Sequence, residues 1–558
     1  MTPRIEKLAN GNHQFVVRGK PFMALAAELN NSSLSSSQYM KDVFPRMKAQ
    51  GFNTLLGAVQ WEQIELEEGK FDFDELDKVL EDARANEIHL VLLWFGSYKN
   101  GQSSYIPPWV KIDNKRFPRA EIKKDDGSQE IVEVLSPFHR ESMEADAKAF
   151  GKLMAHIKEV DEEHETVIMV QVENEVGLLG DSRDRSAGAQ KVFDAGVNSD
   201  FVERVCGDWD NLNETIKGNL SRLVEQKGKA SDLSWSKLLG DSLQTDEIFM
   251  AYHYALYIQH VASRGKAEYD IPYYANAWLR NDTGEEGSNT TVSDGKNPGN
   301  YPSGGPIETV LDIWYLFAPA LSLLAPDIYM PDYATTCRNF SHRGQPLFIP
   351  EQRGDTFGAV RIWEAIGNYG AIATAPFGID SLPANMNAFE PHNRLLSQVS
   401  GLILKARQDG SKMVGFYFDE FDVGAEDPSP TGTVQFGDWK LEIARAHVFG
   451  HPSAGYGLVI QIESDRFLLI GAGFQISFKS SGNDSSYTGI MSFVEKEVID
   501  SQGTKTRTVR YLNGDETRSG RFAVMPSSDP DYAKVPVAIL IPARTRIAEV
   551  RPYCLKQS

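Results

Sequence analysis

Two apolar runs of this chain end in carboxylates. One reads Val170-Gln171-Val172-Glu173-Asn174-Glu175-Val176-Gly177, the other Pro346-Leu347-Phe348-Ile349-Pro350-Glu351-Gln352-Arg353. Burying a charge at the end of an apolar strand is costly unless the group is paired or its pKa is raised. Each glutamate therefore either makes a salt bridge at a rim or serves chemistry. Two carboxyl groups arriving from different strands can work on opposite sides of an anomeric carbon. One protonates the leaving oxygen; the other attacks, or activates a water. A nearby second carboxylate also raises the pKa of the first, as a general acid at neutral pH requires. Strand period puts Glu173 on the face of Glu175. Two carboxyls on one side of a sugar have the wrong geometry for double displacement, so Glu173 is read as a supporting residue.

The elements that must position these ends form a repeated alternation. Strand-like runs at Phe22–Ala27, Asn53–Val59, Ile88–Phe95, Val167–Glu173, Ile271–Trp278, Pro326–Pro331, Pro346–Glu351 and Ala373–Ile379 number eight. Between them Met40, Val43, Phe44 and Met47 fall at i, i+3, i+4, i+7, and Leu76, Val79, Leu80 and Ala83 repeat the spacing. Met143, Ala147, Phe150, Met154 and Ile157 share a further helical face, and another helix runs from about Glu247 to Val261. Eight βα units predict an α/β fold, a (β/α)8 TIM barrel. The competing doubly wound sheet would carry a Gly-rich phosphate turn, and neither GxGxxG nor GxxxxGK[ST] occurs. Long polar segments follow the fourth strand (Gly177 to about Thr245) and the fifth (Leu279–Pro306), at the strand ends where barrels place their sites. From about residue 406 the runs Met413–Phe418, Gly457–Ile462, Arg466–Ile470, Tyr487–Val498, Thr506–Tyr511 and Val535–Ile541 predict a C-terminal antiparallel β-sandwich. The expected division is a catalytic barrel over 1–405 and a bracing sandwich over 406–558.

Composition narrows the partners. With 57 Lys and Arg against 77 Asp and Glu the net charge is -20, which argues against nucleic acid as a partner. The apolar stretch Leu316–Met330 is broken by Pro319, Pro326 and Asp327, so no membrane span is expected. Cys206, Cys337 and Cys554 share no CxxC spacing and read as inert thiols. The 11 His are scattered, and the His447/His451 pair lies in the β-rich region, so no metal site and no cofactor are expected. Met1–Gly11 lacks the apolar core of a signal peptide, so the default location is cytoplasmic, or secreted if the N-terminus was trimmed.

The barrel motifs resemble those of glycoside hydrolase family 35, a β-galactosidase family, and most of all its two-domain bacterial and fungal branch with a C-terminal β-sandwich. Val170–Gly177 is close to that family's VQVENEYG. The resemblance implies Glu175 as acid/base, Glu351 as nucleophile and Asn174 as a ligand of the sugar 2-hydroxyl. Gly51-Phe-Asn-Thr54, Trp61 and Glu65-x-x-Glu68-Gly-Lys-Phe-Asp-Phe73 resemble the family's GxNT…WNxHEPxxGxFDF block, with Glu62 and Ile64 in place of its Asn and His. Asn31 stands where the family has a sugar-proximal Tyr. At strand three Tyr98 is retained, while Gly101-Gln102 replaces the galactose-binding Ala-Glu. Tyr98, Asn100 and Gln102 are therefore expected near the sugar. Among aromatic residues at strand ends, Trp278 and Tyr329 are the expected stacking partners, with Trp94, Tyr301 and Phe377 as further candidates. The implied activity is exo-hydrolysis of terminal β-galactosides from a carbohydrate substrate. The same mechanism on a glucuronide, glucosaminide or arabinopyranoside, or a silent glycan-binding barrel, are the competing readings.

Overall fold

The computed structural model describes residues 2–124, 126–281, 295–421, 425–429, 431–446, 454–482, 485–527 and 543–556. Its centre is an eight-stranded parallel sheet whose strands follow one another in chain order. They are β1 (Ala26–Glu28), β2 (Thr54–Gln60), β3 (His89–Lys99), β4 (Val167–Asn174), β5 (Tyr273–Trp278), β6 (Leu323–Ile328), β7 (Phe348–Gln352) and β8 (Ala373–Pro376). β8 lies against β1, so the sheet is a nearly closed barrel.

The strands pack helices outside: α1 (Ser37–Ala49), α2 (Asp74–Ala85), α3 (Arg140–Asp161), α4 (Leu243–Glu268), α5 (Leu311–Phe317), α6 (Tyr333–Phe340), α7 (Thr356–Asn368) and α8 (Glu390–Asp409). The periodic residues predicted for α1 and α2 are the ones these helices bury. Ser36 caps α1 by accepting the Tyr39 N–H, and Gly410, at φ 68°, ends α8 in the left-handed conformation glycine tolerates.

A separate apolar cluster that includes Leu56, Leu93, Phe348 and Ala375 fills the barrel interior, joined by Phe15 and Val17 of a small N-terminal antiparallel sheet (Arg4–Lys7, His13–Val17, Lys20–Phe22). That sheet takes Phe22 out of the first barrel strand, which begins four residues later than its apolar run does. A hairpin of Arg119–Lys123 and Gln129–Leu135, unmarked in the sequence, follows β3. The insertion after β4 is mostly short helices, such as Ala187–Asp194 and Ser199–Gly207. Residues 282–294 of the insertion after β5 lie outside the described residues, as do the expected strand Val535–Ile541 and the His447/His451 pair.

α8 runs through the expected boundary at 405/406, and the chain turns at Gly410 instead. Beyond it two antiparallel sheets enclose a second core that includes Leu441, Leu469, Phe474 and Val550. One has six strands and the other four. The first of these strands, Met413–Phe418, lies on α7. Gly415 is required there, because an added Cβ would meet the Trp363 carbonyl at 1.8 Å. Asn368 fastens the contact by donating to the Gly415 carbonyl at 3.0 Å and accepting its N–H at 2.8 Å. Arg361 of α7, 4% exposed, binds both oxygens of the half-buried Asp419 at 2.7 and 2.8 Å, which joins barrel to sandwich by a bidentate pair. Among the described residues no helix is long and apolar enough to cross a membrane.

Candidate active site

β4 is buried along its whole length, and the backbone becomes unusual where it ends. Glu173 and Glu175 have φ of 63° and 46°, in the left-handed region that non-glycine residues seldom occupy. These turns break the alternation of faces, so Glu173 does not share the face of Glu175. Its carboxylate turns into the wall and accepts the N–H groups of Gly96 (3.2 Å), Ser97 (3.0 Å) and Tyr98 (2.8 Å) at the end of β3. Burial, and then the charge of Asp146 on α3, raise its pKa well above the ordinary range. Glu173 is thus a brace between β3 and β4.

Glu175 turns to the barrel mouth. Its backbone N–H donates to Asn276 Oδ1 of β5 at 2.8 Å. The amide of the same Asn276 donates to Asp327 Oδ2 of β6 (2.8 Å) and to Glu351 Oε1 of β7 (3.4 Å). One asparagine therefore ties the ends of four strands together. Oxygens of Glu175, Asp327 and Glu351 lie within 4.8 Å of one another. The spacing suits a bond being broken between carboxyls, and is also one that a cation could bridge.

The two predicted glutamates sit in different surroundings. Burial, and then the negative charge of Glu351, push Glu175 up to about 8. Glu351 is met by donors instead: the Tyr329 hydroxyl at 2.8 Å on Oε2, and the amides of Asn174 and Asn276, each at 3.4 Å, on Oε1. Arg353, two residues beyond Glu351, pairs with Asp355 instead. Lys99 of β3 donates to Asn174 Oδ1 and supplies positive charge to the cluster. Glu28 of β1 is wholly buried and neither of its oxygens has a partner among the described residues; burial, then Glu351, raise its pKa well above the usual range.

Above this floor is a cavity of about 340 Å³. Asn31, Asn100, Glu175, Trp278, Tyr329, Glu351 and Phe377, all singled out in the sequence, line it, together with Lys99 and Asp327. Asn31 Oδ1, Asn100 Oδ1 and Trp278 Nε1 are buried without a partner among the described residues, so this wall presents polar atoms that sugar hydroxyls could satisfy. Asn174 is buried against Glu351. Tyr98 and Gln102 are not brought to the cavity. Tyr98 continues β3 after the Glu173 brace and packs edge-on between Tyr254 and Tyr257 of α4, while Gln102 is exposed on the following turn. Trp94 and Tyr301 also lie away from it, donating to Asp146 and Glu247. Asp327, Asn276 and Lys99 were the residues missed. Their signal is a polar side chain closing an otherwise apolar strand, at Asn276-Ala-Trp278 and Pro326-Asp-Ile-Tyr329.

Residues 31–220 match the glycoside hydrolase family 42 model, described as beta-galactosidase, and residues 389–524 match a domain family of unknown function. A beta-galactosidase of Xanthomonas manihotis is 26% identical over 212 residues, covering 37% of this chain and 32% of that protein. The beta-galactosidase-1-like protein 3 of Rattus norvegicus is 29% identical over 260 residues, covering 45% and 37%. The chain thus spans about a third of the length of these curated relatives. A solved beta-galactosidase of Bacillus circulans sp. alkalophilus superposes with a TM-score of 0.44 at 15% identity, over 68% of this chain and 57% of that one. The barrel region is thus similar to beta-galactosidases, and the family model that residues 31–220 match is that of family 42.

Proposed function

We propose that the chain is a retaining exo-glycosidase that releases terminal β-linked galactose from oligosaccharides or polysaccharide side chains. The observation that carries the reading is the convergence of Glu175 and Glu351 within 4.8 Å, with three donors on Glu351. Retention calls for carboxyls about 5–5.5 Å apart and inversion for roughly 6.5–9.5 Å, to admit a water. In the first step a Glu351 oxygen bonds to the anomeric carbon, the bond to the leaving oxygen breaks, and Glu175 gives that oxygen its proton. In the second a water attacks the same carbon, Glu175 takes back a proton, and Glu351 is released. Three donors hold the Glu351 carboxyl in place, and burial keeps Glu175 protonated near neutral pH.

β-Galactosides are the preferred substrates on the likeness to proteins named for them and on the family 35 motifs, in whose two-domain branch we place the chain. The barrel to Gly410 is read as catalytic and the sandwich beyond it as its brace. The strand-three region favours a second reading in which only the sugar differs, because Lys99 and Asn100 face the cavity where Tyr98 and Gln102 do not. Of its candidates a glucuronide fits least, since the ammonium of Lys99 is outnumbered by four carboxyls, those of Glu28, Glu175, Asp327 and Glu351.

The test is turnover of a panel of nitrophenyl β-glycosides, followed by trapping with the matching 2-deoxy-2-fluoro glycosyl fluoride. Galactoside kcat/KM should exceed that of the glucoside, and peptide mapping should place the label on Glu351. A label elsewhere, a first product of inverted configuration, or no turnover at all would defeat the proposal.

A further inference from the structure

The barrel mouth holds one carboxyl more than a double displacement uses. Asp327, at the end of β6, is 3% exposed and lines the cavity beside Glu175 and Glu351. Its Oδ2 accepts the Asn276 amide at 2.8 Å, while its Oδ1 is buried with no donor among the described residues. Oxygens of Asp327 and Glu175 lie within 4.8 Å of each other in this buried pocket, where two ionised carboxylates repel strongly. A single proton held by the pair relieves that repulsion. The charged and titratable groups around it are Glu28 on β1, Lys99 on β3, Glu175 on β4, Tyr274 on β5, Tyr329 on β6 and Glu351 on β7. With four carboxyls against a single ammonium, these groups cannot all be ionised at once without a large electrostatic cost.

We propose that Asp327 is a positioning residue that shares one proton with Glu175, and that this pair, rather than Glu175 alone, stores the proton delivered to the leaving oxygen. The inference rests on the acid/base reading of Glu175. The pair holds one proton at neutral pH, and a neighbouring negative charge resists its loss. During the first step the proton moves from Glu175 to the leaving oxygen. In the second it returns to the pair from the attacking water, so no proton is gained or lost over the cycle. Asn276 sets the geometry: its carbonyl oxygen holds the Glu175 backbone while its amide aims Asp327 and Glu351 inward. Burial raises the Asp327 carboxyl well above the usual range, and the charges of Glu351, Glu175 and Glu28 add to it.

The experiment is the pH profile of kcat/KM for Asp327→Asn against the unsubstituted protein, using a galactoside with a poor leaving group. Asparagine keeps the shape but carries no negative charge and donates an N–H, so ionised Glu175 becomes easier to form. The alkaline limb should move down by about 1 pH unit or more, while the plateau below it falls by less than about tenfold. A plateau loss with the limb unmoved would overturn the proposal, because a purely structural role lowers the rate without moving the limb. Infrared titration of protonated carboxyl stretches gives a second, activity-free reading. A band that titrates near pH 8 should be altered by Glu175→Gln and by Asp327→Asn alike. Should Asp327→Asn fail to fold, a band of Asp327 unmoved by Glu175→Gln would overturn sharing, and a shifted one would support it. If no glycoside in the panel is turned over, the glycosidase reading fails, and the infrared titration alone decides whether the proton is shared.

Discussion

Replacing Glu175 with Gln should stabilise the fold in alkaline solution while removing the acid. The side chain is 7% exposed and its pKa is lifted from 4.5 to about 8, chiefly by burial and then by Glu351. At about 1.4 kcal/mol per pH unit that displacement corresponds to about 5 kcal/mol for an isolated group. The sign follows from where the proton sits. Below pH 4.5 both folded and unfolded chains carry it, and burial of the neutral carboxyl costs nothing that depends on pH. Between 4.5 and about 8 the unfolded chain ionises while the folded one stays protonated, so the folded state loses stability as pH rises. Above about 8 the loss is complete. Glutamine does not titrate, so the substitution removes this penalty. Because Asp327 and Glu28 can exchange protons with Glu175, part of the penalty passes to them, and a gain of about 2–5 kcal/mol is expected at pH 8.5. At pH 5 the difference should be under about 1 kcal/mol. Urea unfolding of both proteins at the two pH values reads it directly. A gain of equal size at both, or a loss at pH 8.5, would refute the argument that the fold is holding a reluctant charge at this position.

Three further outcomes test the rest of the site. Tyr329→Phe removes the 2.8 Å donor to Glu351; a hydrogen bond to a charged acceptor contributes about 1.5–3 kcal/mol, so kcat/KM for an aryl galactoside should fall by about 10- to 150-fold with an unchanged fold by circular dichroism. Glu173→Ala strands three backbone N–H groups of β3, at about 1–3 kcal/mol each, so the melting temperature should drop sharply or the barrel should fail to fold, although Glu173 touches no substrate. Exhaustive chelation should leave activity intact, since two carboxyls suffice for the reaction; loss restored by one specific divalent metal would mean that the Glu175, Asp327 and Glu351 oxygens hold a cation.

Much of this architecture is legible in one dimension because it depends on local pattern. An apolar run followed by a helix with i, i+3, i+4 spacing has few ways to bury itself, and eight in succession close on one another. A carboxylate closing such a run is equally visible, which is why Glu175 and Glu351 stand out before any coordinates do. The sequence could not show which way each strand end turns. Strand period places Glu173 with Glu175, but left-handed backbone at both residues sends one into the wall and the other into the cavity. The same loss of register carries Tyr98 out to α4, while Lys99 and Asn100 face the mouth. Nor does the sequence say that Asn276 spans Glu175, Asp327 and Glu351, residues up to 176 positions apart that meet only when the barrel closes. The electrostatics are tertiary for the same reason. A carboxyl near pH 8 exists only where burial and the charge of Glu351 act together, and no stretch of chain contains that environment by itself.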